Sequence, residues 1–457
     1  MPPSAEELRQ DAQRIWWAGV EAVRSDRLVR QTIRLDGSTL TIGETTVSLE
    51  GVGRIAVVGA GKAGAGMAAA VEEVLGPKWL EAKAVTGWVN VPDDCVRGLS
   101  RIHLHGARPA GVNEPTPAGV AGAKEILRIV QTLGSNDLCL ALISGGGSAL
   151  MPAPVEAVSL ADKLAITRHL SAAGANIEEL NTVRKQLSRL KGGGLWRACR
   201  AGRLAALIIS DVLGDPLEII ASGPTVEDSS TPAAALAILQ RYQARAAGVP
   251  QTVFDYLAAR PGAPQPRPAC RAWNLIIGNN ATAVDAAGLE AERLGYSHAM
   301  TSAARSEGAA EEVGRHLAAM ALSMRDRPGP NCLISGGEPV VKLAAAEKRG
   351  LGGRNQQLVL AALAALASDG ARGLAVLSGG TDGEDGPTDA AGAFLDAEIL
   401  AAAGRQGLDP ADYLARNDAY HFFAPLDALL RTGPTHTNVC DVRVVLASRP
   451  PLPPGDG

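Results

Sequence analysis

Glycine-rich stretches recur along this chain, and most of them directly follow an apolar run that is typical of a β-strand. They span residues 59–64, 144–148, 191–194, 335–338, 352–355 and 378–383. Glycine lets the backbone approach a ligand closely, and exposed backbone N–H groups at a helix start favour anions, phosphate above all. The charged residues that stand out among these stretches are Lys62, Arg354, Asp382 and Asp385. Together they predict a site that handles a polyphosphate and a metal ion.

The first stretch, 59–64, matches the G-x-G-x-x-G fingerprint of dinucleotide-binding proteins. That fingerprint also requires an acid about 20 residues further on, whereas Asp93 and Asp94 come about 30 residues later and follow Pro92. A lysine within the loop is an alternative signal, because the ammonium of Lys62 can point at a bound anion. A solvated loop lysine is the third interpretation.

Other catalytic motifs are absent from the sequence. The Walker A pattern does not occur, which excludes a P-loop NTPase, and the protein-kinase catalytic loop is missing as well. There is no G-x-S-x-G elbow, which disfavours a serine hydrolase of that kind. The stretch 144–148 either binds an anion through its amides and hydroxyls or forms a tight strand-to-helix turn.

Two acidic segments have the composition of ligand-binding loops. Residues 381–389 carry four carboxylates, which predicts oxygen ligands for Mg²⁺ at Asp382 and Asp385, with a polar surface turn as the alternative. Asp211 and Asp215 follow a strand-like run, where ligands collect in open α/β sheets.

A basic helix leads into the third glycine stretch. Lys185 and Arg189 are four residues apart and share a helix face, and Lys191 follows them. These side chains either bind phosphate or coat a surface, and the pattern alone leaves both open.

Alternating strand and helix patterns must position these loops. Ser4 and Glu7 form a capping-box pattern that predicts a helix to about residue 24, and later strands at 54–59, 138–143 and 204–209 alternate with helices. This rhythm predicts an α/β fold with two α/β domains that face each other across an active-site cleft, the N-terminal one Rossmann-like with a mainly parallel sheet. The predicted boundaries are a first domain at 1–257, a linker at 258–268, a second domain at 269–449 and a disordered tail at 450–457.

Composition excludes several classes of function. The 457 residues carry a net charge of −4 and only 3% aromatic residues, which disfavours nucleic acid or an anionic membrane as the main partner. The six cysteines show no C-x-x-C spacing, so a zinc site is not expected. No apolar run reaches 18 residues, and the first residues do not read as a signal peptide, so we expect a cytoplasmic protein.

The motifs together resemble the glycerate 2-kinase family, whose members carry a C-terminal MOFRL domain and were formerly labelled hydroxypyruvate reductases of tartrate utilisation. The matching segments are 57–63, 142–149, 181–185, 191–194, 210–224, 335–338, 352–357, 378–391 and 433–441. The resemblance implies ATP-dependent phosphorylation of D-glycerate at its 2-hydroxyl, giving 2-phospho-D-glycerate and ADP. It also implies that Lys62 and Arg354 are catalytic.

The chain departs from that family in two places. Arg108 stands where relatives often have the histidine of Gly-His-Pro, and His436 and Cys440 stand where they often have glycine and asparagine. These changes bear on substrate selectivity more than on the reaction class.

The chemistry of phosphoryl transfer assigns roles to the remaining residues, because this reaction needs mainly positioning and charge neutralisation. Asp211 can accept the hydroxyl proton, and Mg²⁺ on Asp382 or Asp385 can bridge phosphate oxygens. Substrate contacts are predicted for Arg184, Lys185 and Asn355. Nucleotide and phosphate contacts are predicted for Gly59, Gly61, Ser144, Gly145, Gly146, Gly147, Ser148, Lys191, Gly193, Gly337 and Glu338.

Two other functions remain open at this point. The fingerprint at 59–64 would suit an NAD(P)H-dependent hydroxypyruvate reductase, and a nucleotide-binding regulatory module without catalysis is a third possibility. The expected ligands are ATP, Mg²⁺ and the small molecule D-glycerate, and the sequence leaves a homo-oligomer open.

Overall fold

The structure is a computed structural model, and it describes residues 3–109, 112, 114–260, 262 and 268–448. Contacts divide the chain into two compact units. Residues 25–277 form what we call the first unit, and residues up to 24 together with those from 278 onward form the second unit. Most of the linker expected at 258–268, namely 261 and 263–267, lies outside the described residues, and so does the tail expected at 450–457.

This division differs from the expected boundaries at two places. Helix α1, Ala5–Ala22, belongs to the second unit rather than the first. The indole Nε1 of its buried Trp16 donates to the carbonyl of Gly379 at 3.2 Å, and Arg9 pairs with buried Asp396 at 2.7 Å. The strand Arg271–Gly278, expected to open the second domain, instead belongs to the sheet of the first unit.

The first unit contains a small antiparallel sheet and a large sheet. The small sheet consists of β1 (Ile33–Asp36), β2 (Thr39–Ile42) and β3 (Thr45–Ser48). The strands of the large sheet are β4 (Ile55–Ala60), β5 (Thr86–Pro92), β6 (Ile102–Arg108), β7 (Leu138–Ile143), β8 (Arg203–Ile209) and β9 (Arg271–Gly278). Both β4 and β7 are apolar and buried along their whole length, as expected of parallel strands covered on both faces.

The order of the large sheet, β6-β5-β4-β7-β8-β9, has a topological switch point. The chain runs outward from β4 through β5 to β6, then returns to β7 on the other side of β4, and these strands and β8 are all parallel. In such sheets ligands bind outside the carboxyl ends of the two strands that flank the switch point. The prediction of a Rossmann-like, mainly parallel first sheet is therefore confirmed, and the loops after β4 and β7 are the first place to look for a site.

Helices cover this sheet and extend beyond it. They are α2 (Ser25–Thr32), α3 (Gly64–Ala82), α4 (Pro117–Gln131), α5 (Gly147–Leu150), α6 (Leu160–Ala172), α7 (Ile177–Gln186), α8 (Gly194–Ala198), α9 (Pro232–Arg241) and α10 (Gln251–Ala258). Helices α6, α7, α9 and α10 enclose a separate apolar core that includes Leu170, Val183, Leu239 and Phe254. This core holds α6 and α7 in place, and both helices carry cationic residues of the site described below.

The second unit is also α/β, with a mixed sheet. Its strands are β10 (His298–Ser302), β11 (Cys332–Gly337), β12 (Leu374–Gly380), β13 (Gly392–Asp396), β14 (Leu429–Leu430) and β15 (Asp441–Ala447), in the order β10-β11-β15-β12-β13-β14. Of the described strand pairs in this second sheet, only β10–β11 is parallel. Its further helices are α11 (Asn280–Arg293), α12 (Ala310–Asp326), α13 (Arg354–Leu366), α14 (Ala397–Arg405), α15 (Pro410–Ala415) and α16 (Ala419–Phe423). Short 3₁₀ turns occur at Leu49–Gly51, Asp93–Cys95, Ile220–Ser222 and Ala424–Leu426.

Candidate active site

The loops after β4 and β7 meet at the switch point. Lys62 follows β4, and its backbone N–H donates to the carbonyl of Gly145 at 2.9 Å. Ser144 follows β7, and its hydroxyl accepts the N–H of Ala63 at 3.0 Å. The two glycine stretches predicted from the sequence therefore form one structure, with Lys62 half-buried at its centre.

The amides of the first loop are already used within the protein. Gly61 N–H donates to Asn90 at 3.1 Å, and those of Lys62 and Ala63 are bound as described above. The N–H of Gly61 is therefore committed within the protein, and the phosphate contacts of Gly59 and Gly61 stay predictions. Glycine is needed at position 59 because a Cβ there would lie 2.0 Å from the carbonyl oxygen of Leu142 on the neighbouring strand.

Amides of the third glycine stretch, 191–194, also donate to groups within the protein. The N–H of Gly192 donates to Ser222 at 2.9 Å, and that of Gly193 donates to Gly223 at 2.6 Å. The N–H of Gly193 is therefore also committed within the protein, and its phosphate contact stays a prediction. Gly193 adopts φ of +75° at the start of α8, which is a conformation that favours glycine.

The second stretch, 144–148, is different. Within the described part of the chain, the backbone N–H groups of Gly145 and Gly146 donate to no protein group. A Cβ at Gly146 would lie 3.1 Å from Nη2 of Arg108 and 3.7 Å from Cγ of Lys62. Of the predicted glycine loops in the first unit, this one can still present amides to an anion, and two cationic side chains lie beside it.

Lys191 approaches the other end of this loop. It is 3% exposed, and its Nζ donates to the carbonyl of Ser148 at 2.8 Å and also to the Ser148 hydroxyl. Burial lowers the pKa of Lys191 well below its ordinary value, and the charges of Arg184 and Lys163 lower it further. Ser148 and Lys191 were both predicted as phosphate contacts, and the structure brings them together.

A pocket of about 370 Å³ opens beside Ser148 and Lys191, and we call it the cationic pocket. The residues lining it are Glu114, Pro115, Ser148, Pro152, Leu160, Lys163, Leu164, Thr167, Arg168, Ser171, Arg184 and Lys191. Arg184, predicted to contact substrate, lies here. The sequence analysis missed Lys163, because nothing in the local pattern of α6 relates it to the glycine loops.

Lys185, the other predicted substrate cation, does not line the pocket. Its Nζ lies 3.5 Å from Oδ1 of Asp228, and both side chains are only 9% exposed. This charge is paired within the protein, and the substrate contact of Lys185 stays a prediction.

Asp211 lies two residues beyond the end of β8 and is half-buried. Because β8 is parallel to β7, this places Asp211 at the same edge of the sheet as the loop 144–148. Its role as a proton acceptor stays a prediction.

In the second unit, Arg354 begins α13 and is held by two carboxylates. Nε and Nη2 donate to Asp441 at 2.8 and 3.0 Å, and Nη1 donates to Glu338 at 2.8 Å. Asp441 is fully buried, whereas Arg354 keeps a third of its side chain exposed. A guanidinium has five N–H donors, so two of them remain for a ligand.

Asp385 accepts hydrogen bonds from the backbone at the start of α13. Its Oδ1 accepts the N–H of Asn355 at 3.0 Å, and its Oδ2 accepts that of Gln356 at 2.9 Å. It is 2% exposed, and burial raises its pKa to about 7. Both oxygens accept hydrogen bonds from the start of the helix that carries Arg354, and the role of Asp385 as a Mg²⁺ ligand stays a prediction.

Asn355 is likewise committed to the protein. It is 1% exposed, its amide donates to Asp441 at 3.0 Å, and its oxygen accepts the hydroxyl of Ser378 at 2.5 Å. The side chain of Asn355 orients the carboxylate that holds Arg354, and its contact with substrate stays a prediction.

Gly337 and Asp382 lie at the same end of this sheet. A Cβ at Gly337 would lie 1.8 Å from Oε2 of Glu307, so the glycine makes room for the pair between Glu307 and buried Arg443, at 2.7 Å. Asp382 is half-buried and accepts the N–H of Glu384 at 3.1 Å. Among the described residues, no group of three or more histidine, cysteine or acidic side chains is arranged to hold a metal ion.

Comparison with known proteins decides the family. The family model described as a domain of unknown function, DUF4147, matches residues 11–258, and the MOFRL family model matches residues 331–441. A glycerate kinase of Rattus norvegicus is 36% identical, over 96% of this chain and 93% of its own length. The chain belongs to the glycerate kinase family whose members carry DUF4147 and MOFRL domains.

Two further members show its range. The structure of a glycerate kinase from Thermotoga maritima superimposes with a TM-score of 0.82 at 35% identity, covering 97% of this chain and all of that one. A protein of Agrobacterium vitis, provisionally named a hydroxypyruvate reductase, is 40% identical over 86% of this chain and 100% of its own length. The same family therefore carries both names.

The departures of this chain from the DUF4147–MOFRL family have structural consequences. His436 has φ of +59° and Cys440 has φ of +68°, both in the left-handed region that favours glycine or asparagine. Arg108 ends β6 beside Gly146, so this departure lies next to the loop 144–148.

No helix in the described part of the chain is long and apolar enough to cross a membrane.

Proposed function

We propose that this protein phosphorylates D-glycerate at the 2-hydroxyl with ATP, giving 2-phospho-D-glycerate and ADP. The observation that carries the proposal is the convergence of Lys62 and buried Lys191 on the loop 144–148 at the switch point. Membership of a family whose curated relatives are named glycerate kinase supports it.

The proposed roles follow from charge. Phosphoryl transfer develops negative charge on the transferred group, and fixed cations lower its energy. Lys62 neutralises that group. Arg354 stays a predicted catalytic cation, with two N–H donors left for a ligand. Asp211 accepts the proton of the attacking hydroxyl.

The residues present fit a Mg²⁺ ion in part. This metal usually keeps several waters and takes one or two protein carboxylates, with substrate phosphates completing its shell. Asp382 would hold it. Burial raises the pKa of Glu338, and the charges of Asp441 and Asp382 raise it further, so Asp382 lies near that carboxyl. When bound, Mg²⁺ neutralises phosphate oxygens.

Hydride transfer from NAD(P)H is the competing activity. A dinucleotide fingerprint works by presenting loop amides to the pyrophosphate, and here the N–H groups of Gly61, Lys62 and Ala63 donate within the protein. This geometry weighs against the reductase. A cytoplasmic location and a homo-oligomer stay predictions.

One assay separates the activities. Purified protein is given D-glycerate, ATP and Mg²⁺ while ADP is measured, and separately hydroxypyruvate and NADH while absorbance at the NADH band is followed. We expect ADP that depends on D-glycerate, no loss of NADH, and loss of ADP formation when EDTA is added. NADH oxidation without ADP release would overturn the kinase proposal, and binding of ATP with neither reaction would indicate a regulatory module.

A further inference from the structure

The cationic pocket holds more positive charge than its own residues neutralise. Lys163 on α6, Arg184 on α7 and Lys191 in the following turn all line it. Glu114 is the sole acid among the described lining residues, and its carboxylate pairs with Arg168 at 2.6 Å. The other three cations therefore have no carboxylate partner in the lining.

Two of these cations make no hydrogen bond to any residue that the structure describes. The ammonium nitrogen of Lys163 has no exposed surface and no hydrogen-bond partner in the described residues, although part of its stem is exposed. Arg184 likewise has no hydrogen bond or ion pair there. Burying an uncompensated charge is expensive and lowers the pKa of a lysine such as Lys163, so an anion in the pocket would stabilise the charged forms of these side chains.

The position and walls of the pocket indicate which anion. Ser148 lines the pocket and lies two residues after Gly146. Lys62 lies beside Gly146. Its volume of about 370 Å³ is at the low end for small-molecule sites, and Pro115, Pro152 and Leu164 make one side apolar. A guanidinium such as that of Arg184 binds a carboxylate with two parallel hydrogen bonds.

We infer that the cationic pocket binds the carboxylate of the acceptor hydroxy acid, and that Lys163 is a residue that determines selectivity for an acid over a neutral analogue. This inference rests on the proposed function. The acid is anchored by Lys163, Arg184 and Lys191, and its hydroxyl end extends toward Lys62. A phosphate group shares the chemistry of an oxyanion, so the test separates the two.

The first experiment compares substrates and variants. D-glycerate and its neutral amide, glyceramide, are assayed with the wild type, Lys163→Met, Lys163→Gln and Arg184→Met, and with Lys124→Met as the matched control, an exposed lysine on α4. Loss of a charge-assisted bond should raise KM for D-glycerate by about 10–100-fold. KM for ATP should stay within about twofold, Lys124→Met should match the wild type, and the preference for acid over amide should shrink in the pocket variants.

The second experiment needs no turnover. Removing an unpaired buried charge should raise the Tm of the ligand-free protein in Lys163→Met, while the increase in Tm caused by D-glycerate should shrink, because a ligand stabilises in proportion to its affinity. A merely structural lysine would lower Tm when it is replaced.

The outcomes distinguish the inference from the proposed function. Wild-type protein that forms no ADP but is stabilised by D-glycerate, less so after Lys163→Met, would overturn the kinase and leave the pocket as an acid-binding site. An active enzyme whose variants raise KM for ATP and not for D-glycerate would assign the pocket to phosphate and overturn the inference. Wild-type turnover of glyceramide as fast as D-glycerate would overturn it as well.

Discussion

Arg354 donates two hydrogen bonds to one carboxylate: its Nε lies 2.8 Å from Oδ2 of Asp441, and its Nη2 lies 3.0 Å from Oδ1. Asp441 is fully buried at the start of β15, while Arg354 begins α13 and keeps a third of its side chain exposed. The pair therefore fixes the guanidinium at the carboxyl end of β11 and leaves part of it accessible.

This pairing predicts that Arg354→Ala loses stability as well as activity. Without the guanidinium, Asp441 is left buried and unpaired, which should cost about 1–3 kcal/mol after allowance for the exposure of Arg354. The free energy of unfolding is measured by urea titration, with Arg128→Ala as the control because it breaks a surface pair with Glu125. The control should keep the free energy of unfolding of the wild type. If Arg354→Ala also kept it, the pair would not stabilise the second unit.

Lys62→Met should separate activity from stability. The side chain is half-buried beside Gly146, and loss of a fixed charge at the transferred phosphoryl group should lower kcat by about 10²–10³-fold. Tm should hardly change. Lys124→Met serves as the control in both kcat and thermal unfolding, and a drop in Tm of Lys62→Met that parallels the loss of kcat would mean that Lys62 is structural.

Asp385→Ala should destabilise the second unit rather than remove a metal. The change leaves the N–H groups of Asn355 and Gln356 without their acceptor, at a cost of about 1–3 kcal/mol. Asp389→Ala, at an exposed position of the same segment, is the control and should keep the Tm of the wild type. If Asp385→Ala keeps its Tm but needs far more Mg²⁺ for activity, Asp385 is a metal ligand.

The buried ammonium of Lys163 predicts a pH dependence of stability. Burial, with the charge of Arg184, lowers its pKa from 10.5 to about 7 in the folded protein. Between pH 7 and 10.5 the unfolded chain therefore binds more protons than the folded one at this residue, so its contribution to stability increases as the pH rises through that window. The difference in unfolding free energy between wild type and Lys163→Met should shift in favour of the wild type from pH 6.5 to pH 9. A difference that stays constant would contradict the depressed pKa.

Much of the first unit follows from local sequence. Apolar runs such as β4 and β7, each leading into a glycine-rich loop, predict parallel strands, and these loops predicted the switch-point site. The sequence alone does not give the role of these glycines, because a G-x-G-x-x-G pattern is the same whether glycine makes room for a ligand or for Leu142 of the next strand.

The remainder depends on contacts between distant residues. Lys163 lines the same pocket as Ser148 and Arg184 only because α6 and α7 pack together in their own core. Asp385 reaches the start of α13 across 30 residues of sequence. Trp16 joins α1 to β12 although 363 residues separate it from Gly379. No local pattern encodes such pairs, so burial and partners of these side chains had to come from the structure.

The most direct test of the proposed function is identification of the phosphorylated product. D-glycerate, ATP and Mg²⁺ are incubated with the purified protein, and the mixture is analysed by phosphorus NMR against authentic 2-phosphoglycerate and 3-phosphoglycerate. We predict that 2-phosphoglycerate appears in equal amount with ADP, and that Lys62→Met forms it at least about 100 times more slowly. Formation of 3-phosphoglycerate, or consumption of ATP without any phosphorylated acid, would contradict the proposal.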